Sequence, residues 1–258
     1  MKNKQMRLNE LKKMLQKENS MKISEISQHL GVSPMTTRRD IDVLSKQGVV
    51  KVLHGAVVYN SHNFPQGLSD YMLTVAESQN IEKKRKIGSF AAGFVEENDI
   101  IFIDAGSTTE FLAQYLPTDI PFTLVCYSLN IFLAVAGNRN INLILAGGTY
   151  NRETTILAQS KNSVILKNNR TRKAFISAGG LHSKLGVTCA YESECHVKQT
   201  ALSSTAESFL LIDSTKFDHV HSCFFASEED FTHIISNDDI PKEYRTLLPQ
   251  KGIKLHCV

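Results

Sequence analysis

No apolar run in this chain approaches the roughly 18 residues that a membrane-spanning helix requires, and the N-terminus carries lysine and arginine without a signal-type apolar segment. A soluble, cytoplasmic protein with no membrane partner is expected. Neither GxxxxGK(S/T) nor GxGxxG occurs, which disfavours a pocket for a nucleoside triphosphate or a dinucleotide. The five cysteines (Cys126, Cys189, Cys195, Cys223 and Cys257) are odd in number and lack CxxC spacing. Reduced packing residues are therefore favoured over a disulfide framework or a zinc site, and no metal or cofactor is expected. With 42% apolar and 21% charged residues the balance is that of an ordinary globular protein, and 258 residues suffice for one large or two ordinary domains.

Charge is unevenly spread. Residues 1–60 hold eleven Lys or Arg against five Asp or Glu, which leaves eighteen against twenty-one for the remainder. A basic N-terminal part joined to a slightly acidic remainder fits one module that meets a polyanion and one that does not, because phosphate neutralisation dominates nucleic-acid affinity.

The basic part reads as helical. Residues 2–17 form a first helix with Leu8, Leu11 and Leu15 in one stripe. In residues 23–48, Ile26 and Leu30 give a second stripe, Gly31 supplies a turn, and Ser33 before Pro34 is an N-cap with proline at the first helical position. The helix that follows runs from Pro34 to about Gln47, with Thr37, Ile41 and Leu44 on one face and Met35, Arg39, Asp42 and Lys46 on the other. This is the pattern of a helix-turn-helix whose second helix enters the major groove of double-stranded DNA. A solvated helical hairpin is the plainer alternative. Residues 49–58 then read as strand, turn at His54 and Gly55, and strand, the layout of a wing. The candidate DNA-binding residues are Ser33, Thr36, Thr37, Arg38, Arg39, Lys51 and His54.

Periodicity is lost between residues 59 and 79, so the domains are expected at 1–60 and 81–258 with a linker at 61–80. The second domain opens on a helix at 82–94 with Ile87, Phe90, Ala91 and Phe94 inward. Short apolar runs at 100–103, 122–125, 141–145, 174–177 and 209–212 alternate with helical stretches, the mark of an α/β domain with a largely parallel sheet. Ligands of such sheets bind beyond the carboxyl ends of the strands. There stand Asp104, Gly106, Ser107, Thr108 and Thr109, then Gly147 and Gly148, then Gly179 and Gly180, then Asp213 and Lys216. Glycines, hydroxyls and the start of a helix make an anion cradle suited to a phosphorylated sugar.

The run VSPMTTRRDIDVLSKQGVVKVLHGA resembles the N-terminal signature of the DeoR-type bacterial transcriptional regulators, departing at Ala56, where the family has a second glycine. IDAGSTTEFLAQYL, LAGGTYNRET, KAFISAGGLHSKLGVT and LLIDSTKF resemble further segments of that family, so the likeness covers nearly the whole chain. It implies a winged helix-turn-helix followed by an α/β effector domain similar in fold to ribose-5-phosphate isomerases. It also implies a homo-oligomeric repressor with a sugar-phosphate effector. IPFTLVCYSLNIFLAV is similar to members for which the implied effector is deoxyribose 5-phosphate. Ser128 and Glu192 join the candidate effector-binding residues.

Two functions of different class follow. One is a repressor, without enzymatic activity, that a sugar phosphate releases from operator DNA. The other is a sugar-phosphate isomerase-like enzyme with an incidental helical module, in which Asp104, Glu192 or Asp213 with Lys216 would act as acid and base.

Overall fold

The computed structural model describes residues 4–18, 20–46, 49–53, 56–59, 80–151, 154–158 and 168–258. The chain divides into two compact units, Met1–Ser78 and Gln79–Val258. The expected linker at 61–80 lies outside the described residues except for Asn80.

In the first unit α1 (Lys4–Glu18), α2 (Ile23–Leu30) and α3 (Pro34–Lys46) pack around Leu8, Leu11, Leu15, Ile26, Leu30, Ile41 and Leu44, all buried. Helix α2 ends where Gly31 takes φ +64°, a conformation that favours glycine. At the start of α3, Ser33 Oγ accepts from Thr36 N at 3.3 Å, the cap that the Ser-Pro pair signals. A short strand β1 (Ser20–Lys22), not expected from the sequence, pairs antiparallel with β3 (Ala56–Tyr59), which pairs with β2 (Val50–Leu53). His54 and Gly55, where the sequence predicts a turn, lie outside the described residues.

The second unit opens with α4 (Ile81–Ala92). Its sheet comprises β4 (Ile100–Ile103), β5 (Phe122–Cys126), β6 (Ile141–Leu145), β9 (Thr171–Ser177), β12 (Thr205–Leu211), β14 (His233–Ser236) and β15 (Lys254–Cys257). The order is β15-β14-β12-β9-β4-β5-β6, with every pairing parallel. Apolar clusters cover both faces, one around Phe102, Ile176 and Leu210 and one around Ile101, Phe175 and Phe209. Helices α5 (Ser107–Tyr115), α6 (Leu129–Val135), α7 (Glu192–Ser203) and α8 (Lys242–Gln250) alternate with the strands. Phe90, expected on the buried face of α4, is 41% exposed and meets Phe94 and His256 with its ring.

Two smaller pairings complete the unit. Strands β7 (Thr149–Tyr150) and β8 (Leu157–Ala158) form a hairpin. Strands β10 (Gly180–His182), β11 (Gly186–Cys189) and β13 (Cys223–Ala226) form an antiparallel sheet beyond the end of β9. The chain builds the main sheet outward from β4 through β5 to β6, then restarts at β9 and builds the other way. The order therefore reverses between β4 and β9, and a crevice at their carboxyl ends is where such sheets place ligands.

Candidate functional site

In the first unit α3 presents two chemically distinct faces. Thr37 is fully buried, with its hydroxyl taking a hydrogen bond from Ser27 Oγ at 2.9 Å and donating to Ser33 O at 3.3 Å. Thr37 ties α3 to α2, so the expectation that it contacts DNA is corrected: its place in the buried stripe outweighs its place in the motif. Asp40 is buried on the same side, where Arg7 of α1 grips it through Nε at 2.8 Å and NH2 at 3.3 Å. That fork holds Arg7 above the usual arginine range, chiefly through the hydrogen bond to Asp40. It also orients α3 against α1. The opposite face exposes Met35, Arg38, Arg39, Asp42 and Lys46, with Lys46 paired to Asp42 at 2.8 Å. Ser33 is exposed and Thr36 half-buried, their hydroxyl oxygens 3.0 Å apart. Lys51 lies on β2, and His54 lies outside the described residues.

In the second unit the strand ends converge on Asp104, which is wholly buried. Tyr127 OH donates to its Oδ1 at 2.6 Å, while Ser177 N and Ser177 Oγ donate to Oδ2 at 2.9 and 2.8 Å. Lys198 of α7, itself 1% exposed, forms an ion pair with the same Oδ2. The ammonium also reaches Ser177 O at 3.1 Å and Glu194 Oε2 at 3.6 Å. Burial alone would depress Lys198, but Asp104 and Glu194 outweigh it and hold the ammonium above the usual lysine value. Tyr127 is pushed well up by burial and by the Asp104 charge, so its hydroxyl keeps its proton as a donor. Burial also raises Glu194, with Lys198 offsetting part of the effect.

This network changes the role expected of Asp104. Both its oxygens accept from protein donors and the side chain is wholly buried, so it holds Ser177, Tyr127 and Lys198 in place. Gly106 is required by the same packing: a Cβ there would lie 2.3 Å from Ser177 Oγ. Helix α5 begins at the next residue, and its first N–H groups have no acceptor within the helix. Ser107 is half-buried at that end, whereas Thr108 and Thr109 are buried, and Thr109 Oγ1 folds back to Gly106 O at 2.9 Å. Of the residues expected in an anion cradle here, Gly106 and Ser107 are the accessible ones.

The remaining expected residues are distributed unevenly. Ser128 is buried at the start of α6 and bridges Ile156. Gly147 and Gly148 are exposed after β6, with open space where a side chain at Gly147 would lie. Gly179 and Gly180 pack tightly against His221 and His219. Glu192 is exposed at the start of α7, and the carboxylate that reaches the buried pair is Glu194 instead. Asp213 is buried and accepts from Thr215 N at 3.0 Å, which closes a short turn. Lys216 is half-buried in that turn, and its ammonium makes no hydrogen bond or ion pair among the described residues. Sequence reasoning missed Tyr127, Ser177, Glu194 and Lys198. The available signal was a lysine on the buried stripe of α7, between Val197 and Ala201 and four residues after Glu194.

Comparison with known proteins agrees with this two-part organisation. Residues 7–63 match the family described as DeoR-like helix-turn-helix domain, and residues 79–238 match the DeoR C terminal sensor domain. The deoxyribose operon repressor of Escherichia coli (strain K12) is 31% identical over 249 residues, covering 96% of each chain. The HTH-type transcriptional regulator IolR of Bacillus subtilis (strain 168) is 28% identical over 254 residues, 97% of this chain and 98% of that one. The lactose phosphotransferase system repressor of Lactococcus lactis subsp. lactis is 31% identical over 244 residues, 94% of each. Among solved structures, ribose 5-phosphate isomerase A from Methanocaldococcus jannaschii aligns with a TM-score of 0.41 and 14% identity, over 54% of this chain and 55% of that one.

Proposed function

The chain belongs to the DeoR family of transcriptional regulators, and from that premise we propose that it represses a sugar or deoxyribonucleoside catabolic operon and is released by deoxyribose 5-phosphate. It is a regulator, not an enzyme. The first unit holds double-stranded operator DNA through Ser33, Thr36, Arg38 and Arg39, with Lys51 and His54 adding wing contacts to phosphates. The second unit binds the phosphorylated sugar in the crevice between β4 and β9. Its phosphate meets the N–H groups of α5 at Gly106 and Ser107, with Lys216 as a cation from the neighbouring turn.

The observation that carries this reading is the buried engagement of Asp104. An isomerase needs a carboxylate free to take a proton from its substrate, and here the central carboxylate is already engaged by Tyr127, Ser177 and Lys198. A crevice with anion-binding groups and an engaged central carboxylate suits binding better than proton abstraction. Two relatives, the repressors of a deoxyribose operon and of a lactose phosphotransferase system, support a sugar-linked effector by their names. Operators of helix-turn-helix proteins repeat their half-sites, so the active form is a homo-oligomer, a dimer or higher. Among the described residues no helix is long and apolar enough to cross a membrane.

The test pairs two measurements on the whole chain. Deoxyribose 5-phosphate should weaken operator binding, and incubation with the same sugar phosphate should leave it chemically unchanged. Turnover of the sugar, or operator binding indifferent to it, contradicts the reading.

A further inference from the structure

The segment between β12 and β13 forms a strap over the carboxyl end of β9. Phe217 bridges Leu181 of β10, and Asp218 N donates to Leu181 O at 2.8 Å. Tyr244 of α8 donates its hydroxyl to the Asp218 carboxylate at 2.7 Å. The His219 carbonyl then passes so close to Gly180 that a Cβ there would lie 2.2 Å from its oxygen. His221 N donates to Thr188 Oγ1 at 2.9 Å, which fastens the far end. The strap's backbone is thus tied along its length to β10, β11 and α8.

Besides Lys216, His221 on this fixed backbone has polar side-chain atoms without a partner among the described residues. The His221 imidazole lies against Gly179, where a Cβ would fall 2.5 Å from its Cδ2 and 3.0 Å from its Nε2. Gly179, two residues beyond Ser177, therefore makes a seat for the ring at the end of the central strand. Yet His221 is exposed, and its ring nitrogens make no hydrogen bond among the described residues. The two acidic side chains of the strap are both engaged, Asp213 by Thr215 and Asp218 by Tyr244. A ring held by packing with its polar atoms uncommitted is preorganised to bind at little entropic cost.

We infer that His221 is a sugar-contacting residue, its imidazole hydrogen-bonding a hydroxyl of the effector; this rests on the effector reading given above. The phosphate end is assigned to the start of α5, after β4, and β9 is the next strand on the side towards β12. A ligand anchored there extends its sugar towards Gly179 and His221. Imidazole suits a hydroxyl because one nitrogen donates and the other accepts.

The experiment is calorimetric titration of the whole chain, wild type and His221→Ala, with deoxyribose 5-phosphate and separately with inorganic phosphate. His221→Ala should bind the sugar phosphate about tenfold more weakly, the effect of one lost hydrogen bond, and bind inorganic phosphate as wild type does. Gly179→Ala should show the same selective loss by displacing the ring, and should add nothing in the His221→Ala background. Because His221 is exposed, its removal should leave ligand-free melting unchanged. An unaltered sugar-phosphate affinity in His221→Ala overturns the inference while the effector reading stands. Equal losses for both ligands also overturn it, since His221 would then serve the phosphate. A wild-type chain that binds neither ligand removes the effector reading and the inference with it.

Discussion

Lys198 of α7 places its ammonium on the carboxylate of Asp104, 94 residues earlier in the chain, and neither side chain reaches solvent. The pair ties the helix after β11 to the end of β4, and Tyr127 and Ser177 complete the carboxylate's hydrogen bonds. Removing one partner of such a pair strands the other charge in the interior, which costs about 3–5 kcal/mol, whereas removing both costs much less. Lys198→Met should therefore destabilise the sensor unit strongly, and Asp104→Asn with Lys198→Met should recover much of the loss. Urea denaturation of the single and double variants checks this, and an additive double variant would contradict it.

A second expectation concerns Gly106. Its substitution by alanine drives a Cβ into Ser177, whose hydroxyl and backbone N both hold Asp104. Gly106→Ala should cost about 1–3 kcal/mol of stability, the usual range for overpacking, and should weaken effector binding with it. Thermal melting with and without ligand decides, and wild-type values would show that the contact relaxes freely.

These two residues also show where the sequence is legible and where it is not. The Ser33-Pro34 cap and the spacing of Ile41 and Leu44 are local signals, and α3 starts at Pro34 as they imply. Strand β6 at the sheet edge is only partly buried, whereas β4 and β5 lie inside the sheet and are largely buried, so they appear as mostly apolar runs. Strands β14 and β15 do not, because His233, Ser236, Lys254 and His256 interrupt them and their pairing depends on strands far away in sequence. Asp104 as a candidate binder follows from its position at a strand end; its engagement does not, since Tyr127, Ser177 and Lys198 converge only once the sheet is assembled. Thr37 carries two competing local signals, and its burial matches the one from the helical period.

Glu110 carries a pH expectation. Burial holds its carboxyl up from 4.5 to about 7, with the Asn130 hydrogen bond offsetting part of the effect. Between those values the folded chain keeps a proton that the unfolded chain has released, so stability falls as pH rises through that window. Glu110→Gln should flatten the dependence. Denaturation midpoints measured across the window test it, and a slope unchanged by the substitution would contradict it.

On the DNA side, Arg39 lies on the exposed face of α3 while Asp40 beside it is locked to Arg7. If Arg39 reads a base edge, Arg39→Ala should cost about 1–3 kcal/mol on the operator and far less on unrelated DNA. Equal losses on both would make it a phosphate contact, and no loss on either would remove α3 as the reading helix.

The central claim, that a sugar phosphate bound in the sensor unit releases the operator, is tested most directly by titrating the operator complex of wild type and Lys216→Ala with deoxyribose 5-phosphate. The ammonium of Lys216 makes no hydrogen bond or ion pair among the described residues, so the variant should bind operator normally without ligand. Release of the variant should need at least about tenfold more ligand, as a coupling of about 1–3 kcal/mol implies. Wild-type release with a displaced Lys216→Ala curve is the predicted result, and operator binding that ignores the sugar phosphate in both proteins would contradict the account.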